Sequence, residues 1–254
     1  MGAFSFIDPA QLALAAAIAM LAGAVKGLVG FAMPMILISG LGSFLAPELA
    51  LAGLILPTLV TNGVQALRQG WRAAWESLRR FRLFLAVGGA MLVMSAQLVR
   101  VLPGEALLLL IGVPITGFAV WQLFGAPLRL VAANPRIEAA LAAVAGVFGG
   151  LSGVWGPPVV AYLTALDTPK AEQVRIQGVI YGMGAVALTL SHIGSGVLNA
   201  ATAPFSAVLV LPALLGMSLG FRWHDAIDQA AFRKATLVVL LVAGLNLVRR
   251  GLTG

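Results

Sequence analysis

Long apolar segments, each about as long as a membrane span or longer, follow one another along nearly the whole chain. Sixty per cent of the 254 residues are hydrophobic and ten per cent are charged, whereas soluble domains carry roughly 25% charged residues. A transmembrane helix needs about 20 apolar residues. The chain has eight such segments, at about 9–43, 47–67, 83–101, 105–125, 137–166, 172–193, 203–220 and 231–248. The pattern predicts an all-α polytopic membrane protein.

The charged residues lie mostly in the loops between these segments. The net charge of +7 is explained by the basic loops that membrane proteins keep in the cytoplasm, so a lipid bilayer, and not a nucleic acid, is the expected partner. Between residues 68 and 82, arginines alternate with Trp71, Trp75 and Phe81, a pattern typical of an interfacial helix on anionic headgroups. The chain has no cysteine, which excludes disulfides and thiolate chemistry.

Two apolar segments are each interrupted by a run rich in glycine and proline. The first run is KGLVGFAMP at 26–34 and the second is GGLSGVWGPP at 149–158; a shift of 123 positions aligns Gly27 with Gly150, Gly30 with Gly153 and Pro34 with Pro157. Such residues interrupt a helix and free backbone N–H and C=O groups, which must be buried in protein or line a polar cavity. Matching breaks in the two halves of a chain indicate the substrate site of a transporter.

The breaks fall within a larger internal repeat of four apolar segments, predicted at 1–130 and 131–254. If all eight segments cross the membrane, the loop Lys and Arg residues divide nine to six between the two sides. If segments one and five are re-entrant hairpins, they divide twelve to three, and only Arg100, Arg249 and Arg250 lie outside. The positive-inside rule favours the hairpins. Each half then crosses three times, which makes the repeats inverted.

Positively charged residues are the strongest candidates for a site inside the membrane. All nine acidic residues lie at segment ends or in loops, which argues against a cation site. Lys26, at the first break, and Arg175, near the start of segment six, would pair with an anionic substrate held between the breaks near the midplane. The alternatives are that Lys26 snorkels to an interface and that Arg175 is a cytoplasmic cap.

Polar groups and the break residues complete the predicted site, although amides and hydroxyls within membrane segments also bridge helices. The candidate substrate-binding residues are Lys26, Gly27, Gly30, Pro34, Asn62, Gln65, Ser152, Gly153, Trp155, Pro157, Arg175, Gln177 and Tyr181. There is no histidine cluster, HExxH, GxSxG or paired carboxylate. The expectation is therefore a protein that is not an enzyme, with no catalytic residue, metal site or cofactor.

The paired motifs resemble those of the TauE/SafE sulfite-exporter family over nearly the whole chain. The resemblance rests on KGxxGFxxP at 26–34, LPxLxxNxxQ at 56–65 and GGLSGxxGPP at 149–158, followed by Tyr162, Pro169, Lys170 and Arg175. Met33 departs from the pattern, since the second repeat has Gly156 there. The resemblance implies a multi-pass transporter of the bacterial inner membrane that exports sulfite or an organosulfonate such as sulfoacetate. A permease for another small anion, such as a carboxylate, and a membrane-embedded enzyme or assembly factor remain alternatives, and the oligomeric state is open.

Overall fold

The computed structural model describes residues 7–96, 104–124, 134–152 and 156–253. Within these ranges the chain forms eleven α-helices and no strand, which confirms the predicted all-helical fold. The helices are α1 (Pro9–Val29), α2 (Met33–Leu41), α3 (Pro47–Leu67), α4 (Trp71–Arg80), α5 (Arg82–Ala96), α6 (Gly104–Phe124), α7 (Pro135–Ser152), α8 (Gly156–Ala165), α9 (Lys170–Gly194), α10 (Ala203–Ala226) and α11 (Gln229–Thr253).

The helix bounds follow the predicted apolar segments closely. Among the described residues, α1, α3, α9, α10 and α11 are each long and apolar enough to cross a membrane, as expected for a polytopic membrane protein. The basic run after α3 forms the short helix α4, on which Trp71 and Trp75 are both exposed. That α4 rests on anionic headgroups stays a prediction.

Local signals explain where the first broken segment begins and where it is interrupted. Asp8 Oδ1 accepts a hydrogen bond from the Gln11 amide at 2.8 Å, which caps α1 at its N-terminus. α1 ends at Gly30, whose φ of +87° lies in the left-handed region that glycine adopts without strain. Ala32 also has a positive φ, of +72°, and α2 starts at the next residue. The structure thus contains the first break.

The second broken segment is described on either side of its break. α7 ends at Ser152 and α8 begins at Gly156, and residues 153–155 lie outside the described residues.

The chain forms two compact units, and the first unit carries the first break. It comprises the chain up to Ala74 together with Val174–Asp228. It therefore contains α1, α2, α3 and α10 and most of α9. Its apolar core lies between α1, α2, α3 and α10 and consists of Ile7, Ala15, Ala19, Ala22, Met33, Leu37, Leu41, Leu45, Ala50, Leu54, Phe205, Leu209 and Ala213.

Glycines bring α1 and α10 into backbone contact. Gly23 and Gly27 on α1 are spaced four residues apart, as are Gly216 and Gly220 on α10. A Cβ on any of the four would overlap a backbone carbonyl of the other helix. Small residues at this spacing let membrane helices approach closely. Because residue numbers rise together along the contact, the two helices run in the same direction.

The second unit comprises Trp75–Gln173 and Gln229–Gly254. In it α5 packs on α7 through Gly88 and Gly146, where an added Cβ at Gly146 would overlap the Gly88 carbonyl. α6 packs on α11, where a Cβ at Gly112 would lie 2.8 Å from the Val248 amide nitrogen. Each of these pairs, like α1 and α10, joins a helix from residues 1–130 to one from 131–254. The division into repeats, their inversion and the hairpins stay predictions.

Candidate functional site

Lys26 is the buried cation of the first unit. It lies in the last turn of α1 and is 1% exposed. Its Nζ donates a hydrogen bond to Asn62 Oδ1 on α3, and among the described residues it has no ion-pair partner. A lysine inside a membrane segment costs about 3 kcal/mol on insertion scales. One neutral acceptor recovers only part of that cost, because the ammonium group carries three donors.

Three hydrogen bonds and one turn of α3 connect Lys26, Gly30, Gln65 and Asn62 around the break. The Gly30 amide donates to the Lys26 carbonyl at 2.7 Å, and Gln65 Nε2 donates to the Gly30 carbonyl at 3.0 Å. Gln65 and Asn62 lie three residues apart on α3 and so share one face of that helix. Asn62 closes the ring through Lys26. We call these four residues the break ring.

Side chains from three helices bind the carbonyl groups that the break frees. Gln65 binds the Gly30 carbonyl from α3. With its amide nitrogen toward the break, Gln177 on α9 donates to the carbonyls of Gly30 at 3.2 Å and Val29 at 3.1 Å. His224 on α10 has Nδ1 3.1 Å from the Leu28 carbonyl, and since a carbonyl only accepts, Nδ1 carries the proton there. Side-chain donors therefore satisfy the carbonyl groups at the break.

The N-terminus of α2 supplies donors of its own. Ala32 provides no side-chain cap, and the first helical hydrogen bond runs from the Ile36 amide to the Ala32 carbonyl. The N–H groups of Met33 and Met35 therefore have no carbonyl within the helix, and Pro34 has no N–H to offer. A helix start of this kind carries a partial positive charge and attracts anions.

The remaining predicted residues of the first unit lie around the break ring. Tyr181 is buried on α9 and its backbone carbonyl accepts from Asn62 Nδ2 at 3.3 Å. Arg175 binds Gln69, just beyond the end of α3. Gly27 lies against α10 and so has a packing role. The structure thus joins Lys26, Gln65 and Gln177 directly to Gly30. Asn62 links Lys26 to the backbone of Tyr181.

The predicted residues at the second break are only partly described. Gly153 and Trp155 lie outside the described residues, as does the side chain of Ser152, the last residue of α7. Pro157 is the second residue of α8 and is buried. The substrate-binding role of all thirteen candidate residues stays a prediction.

Two residues that position the site were not predicted from the sequence. His224 follows Gly216 and Gly220 at the same four-residue spacing, and this spacing could have indicated that His224 faces α1. Gly178 lets α9 approach α3, since a Cβ there would lie 2.5 Å from the Ala66 amide nitrogen. The sequence carries no signal for that contact, because it joins residues more than a hundred positions apart.

The long apolar helices and the charged break within one of them define an α-helical, multi-pass membrane protein. The model of the family described as Sulfite exporter TauE/SafE matches residues 15–247. The chain therefore belongs to that family, which indicates a membrane transporter of sulfur-containing anions and agrees with the expectation that the protein is not an enzyme. None of the curated proteins and none of the solved structures matches the chain.

Proposed function

We propose that the protein is an inner-membrane exporter of small sulfur-containing anions, such as sulfite or an organosulfonate like sulfoacetate, and that it binds them at Lys26. Family membership supports the class of substrate. The observation that carries the binding site is the burial of Lys26 with a single neutral acceptor and no carboxylate among the described residues.

The donors around the break suit an oxyanion. Lys26 offers the N–H groups that Asn62 does not use, and Met33 and Met35 offer the first N–H groups of α2. An ammonium group and a helix start each favour a group with several negatively charged oxygens. Sulfite and sulfonates each present three oxygens on one sulfur atom. A cation substrate would meet the charge of Lys26 without a carboxylate to offset it.

The breaks also supply backbone groups that a substrate can bind. Backbone groups that a helix break frees in a membrane must find partners in the protein or in the substrate. The carbonyl groups at the end of α1 accept hydrogen bonds from Gln65, Gln177 and His224. The N–H groups at the start of α2 are available to the anion. The second break repeats the sequence pattern of the first.

The test measures anion binding to purified variants of Lys26. Lys26→Gln removes the charge and keeps a polar side chain, so sulfite or sulfoacetate affinity should fall at least about tenfold, equivalent to about 1.4 kcal/mol. Lys26→Arg should keep part of the affinity, because the charge persists with a different geometry. Lys234→Gln is the charge-matched control, since Lys234 is exposed on α11, and it should bind like the unmodified protein.

Calorimetric titration with sulfite, sulfoacetate and sulfate gives the affinities, and sodium chloride corrects for ionic strength. Unchanged affinity in folded Lys26→Gln would rule Lys26 out as the anion site. Proteoliposomes loaded with sulfite then test transport, and loss of efflux in Lys26→Gln but not in Lys234→Gln is the expected result.

A further inference from the structure

The side-chain oxygen of Gln65 is a buried acceptor without a donor. Gln65 is fully buried, and Oε1 has no hydrogen-bond partner among the described atoms. Its orientation is fixed by the other end of the amide, because Nε2 binds two carbonyl oxygens, that of Gly30 at 3.0 Å and that of Val174 at 2.6 Å. Turning the amide over would bring its oxygen against both carbonyls. Oε1 is therefore an acceptor that the fold itself leaves unmatched.

This acceptor belongs to the same ring as Lys26. Gln65 and Asn62 stand one turn apart on α3, and the Oδ1 of Asn62 holds the Lys26 ammonium group. Asn62 cannot turn over either, since its Nδ2 donates to the Tyr181 carbonyl at 3.3 Å. The break ring thus contains the ammonium donors of Lys26 and one unmatched acceptor. A ligand complementary to it has negatively charged oxygens and one hydroxyl proton.

We infer that the site prefers a monoanion that carries a hydroxyl group, namely hydrogensulfite over the sulfite dianion and over sulfonates, with the ligand O–H donating to Gln65 Oε1. This inference rests on the proposed function, and it specifies the protonation state of the substrate. A ligand without the proton leaves Oε1 unmatched in a buried place, and a site with such an unmatched polar group discriminates strongly against that ligand.

The pH dependence of binding must be separated from titration of the protein. Methanesulfonate provides this separation, because it remains a monoanion without a hydroxyl group and reports only changes in the protein. The charged and titratable groups on the elements packed around the break ring are Lys26 on α1, Glu48 on α3 with Arg68 at its C-cap, Lys170, Glu172, Arg175, Tyr181 and His192 on α9, and Arg222, His224 and Asp225 on α10, while α2 carries none.

The experiment titrates the purified full chain with sulfite and with methanesulfonate at one pH unit below and one above the ionisation of hydrogensulfite. Sulfite affinity, relative to that of methanesulfonate, should fall about tenfold between the two pH values, in line with the fraction of hydrogensulfite. At the lower pH, hydrogensulfite should bind at least about tenfold more tightly than methanesulfonate. Equal affinities, with no relative change with pH, would overturn the preference and indicate that a water molecule occupies Oε1.

Two variants make the test specific to Gln65. Gln65→Leu and Gln177→Leu each remove a donor to the Gly30 carbonyl, but only Gln65 carries the unmatched acceptor. The preference for hydrogensulfite over methanesulfonate should disappear in Gln65→Leu and persist in Gln177→Leu, whatever happens to the absolute affinities. The same preference in both variants would overturn the inference. Should Gln65→Leu not fold, the two-ligand titration decides alone.

The outcomes also distinguish the inference from the proposed function. Binding of both anions that depends on Lys26 but not on the proton would leave the proposed function standing and remove the inference. Failure of any anion to bind would remove both.

Discussion

Gly30 is constrained by its backbone conformation, by its hydrogen bonds and by the closeness of α9. Its φ of +87° ends α1, its carbonyl binds two glutamine side chains, and its amide binds the carbonyl of Lys26. A Cβ at this position would overlap the end of the Gln177 amide. The chain therefore needs glycine here for two separate reasons, the backbone conformation and the closeness of α9.

Gly70 offers a control that separates these two reasons. It has the same φ of +87°, and a Cβ there would meet nothing within 4 Å. We expect Gly70→Ala to cost about 1–2 kcal/mol of stability from the left-handed conformation alone and to leave anion affinity unchanged. Gly30→Ala should cost more and should weaken sulfite binding at least about tenfold. Thermal unfolding in detergent and calorimetric titration measure the two effects.

The double variant Gly30→Ala with Gln177→Ser tests the cause. It removes the side chain that the new methyl group would meet, so it should recover part of the stability that Gly30→Ala loses. Equal losses of stability and affinity in Gly30→Ala and Gly70→Ala would show that the contact with Gln177 does not matter.

Polar residues of the site were easier to predict than their roles. Lys26, Asn62, Gln65 and Gln177 could be selected from the sequence because polar groups are costly in a membrane segment and need partners. Composition and spacing do not indicate which partner a given amide has. In the structure, Gln65 and Gln177 donate to the carbonyls of the break, a local consequence of the interrupted helix, and one oxygen of Gln65 has no partner among the described atoms.

At the scale of helices, close packing depends on glycine more than on large apolar side chains. In lipid the hydrophobic effect does not drive helices together, so backbone approach and dispersion contacts carry the association. The pairs α1 with α10, α5 with α7 and α6 with α11 each meet at a glycine whose Cβ would clash. Helix bounds could be predicted because apolar runs and Gly–Pro breaks are local signals. The pairing could not, because it joins residues far apart in the sequence.

The contact between α1 and α10 gives a direct test of this packing. A methyl group at Gly216 would overlap the Met20 carbonyl and lie 2.7 Å from its carbon atom. Overpacking of this kind costs about 1–3 kcal/mol, so Gly216→Ala should lower the unfolding temperature by roughly 2–12 °C at about 2–4 °C per kcal/mol. Gly117→Ala is the control, since a Cβ there meets nothing within 4 Å. A Gly216→Ala protein as stable as Gly117→Ala would contradict the packing.

At the scale of the whole chain, the first unit constrains the path of the broken segment. α3 runs in the same direction as α10, because Leu56 contacts Ser206 near the start of α10 and Arg68 pairs with Asp225 near its end. α1 also runs parallel to α10. Two successive helices with the same direction need a return between them, and α2 with the loop after it is the segment available. Gly40, near the end of α2, lies against Ile18, halfway back along α1.

This arrangement favours the re-entrant hairpin, although α1 alone is long enough to cross a membrane. With a hairpin, the N-terminus and residues 68–82 lie on opposite sides of the membrane, and the basic loops collect in the cytoplasm. With eight crossings, they lie on the same side. Because the chain has no cysteine, single substitutions at Gly2, Arg72, Asp228 and Arg250 can be labelled individually with an impermeant maleimide in intact cells.

We expect Gly2→Cys and Arg250→Cys to react from outside, and Arg72→Cys and Asp228→Cys to react only after the membrane is permeabilised. Opposite sides for Gly2 and Asp228 follow from the parallel packing of α1 and α10 in either topology, so this pair tests the structure itself. The sides of Gly2 and Arg72 then separate the two topologies. Labelling of both from the same side would indicate eight crossings. The two predicted repeats would then have four crossings each and would be parallel.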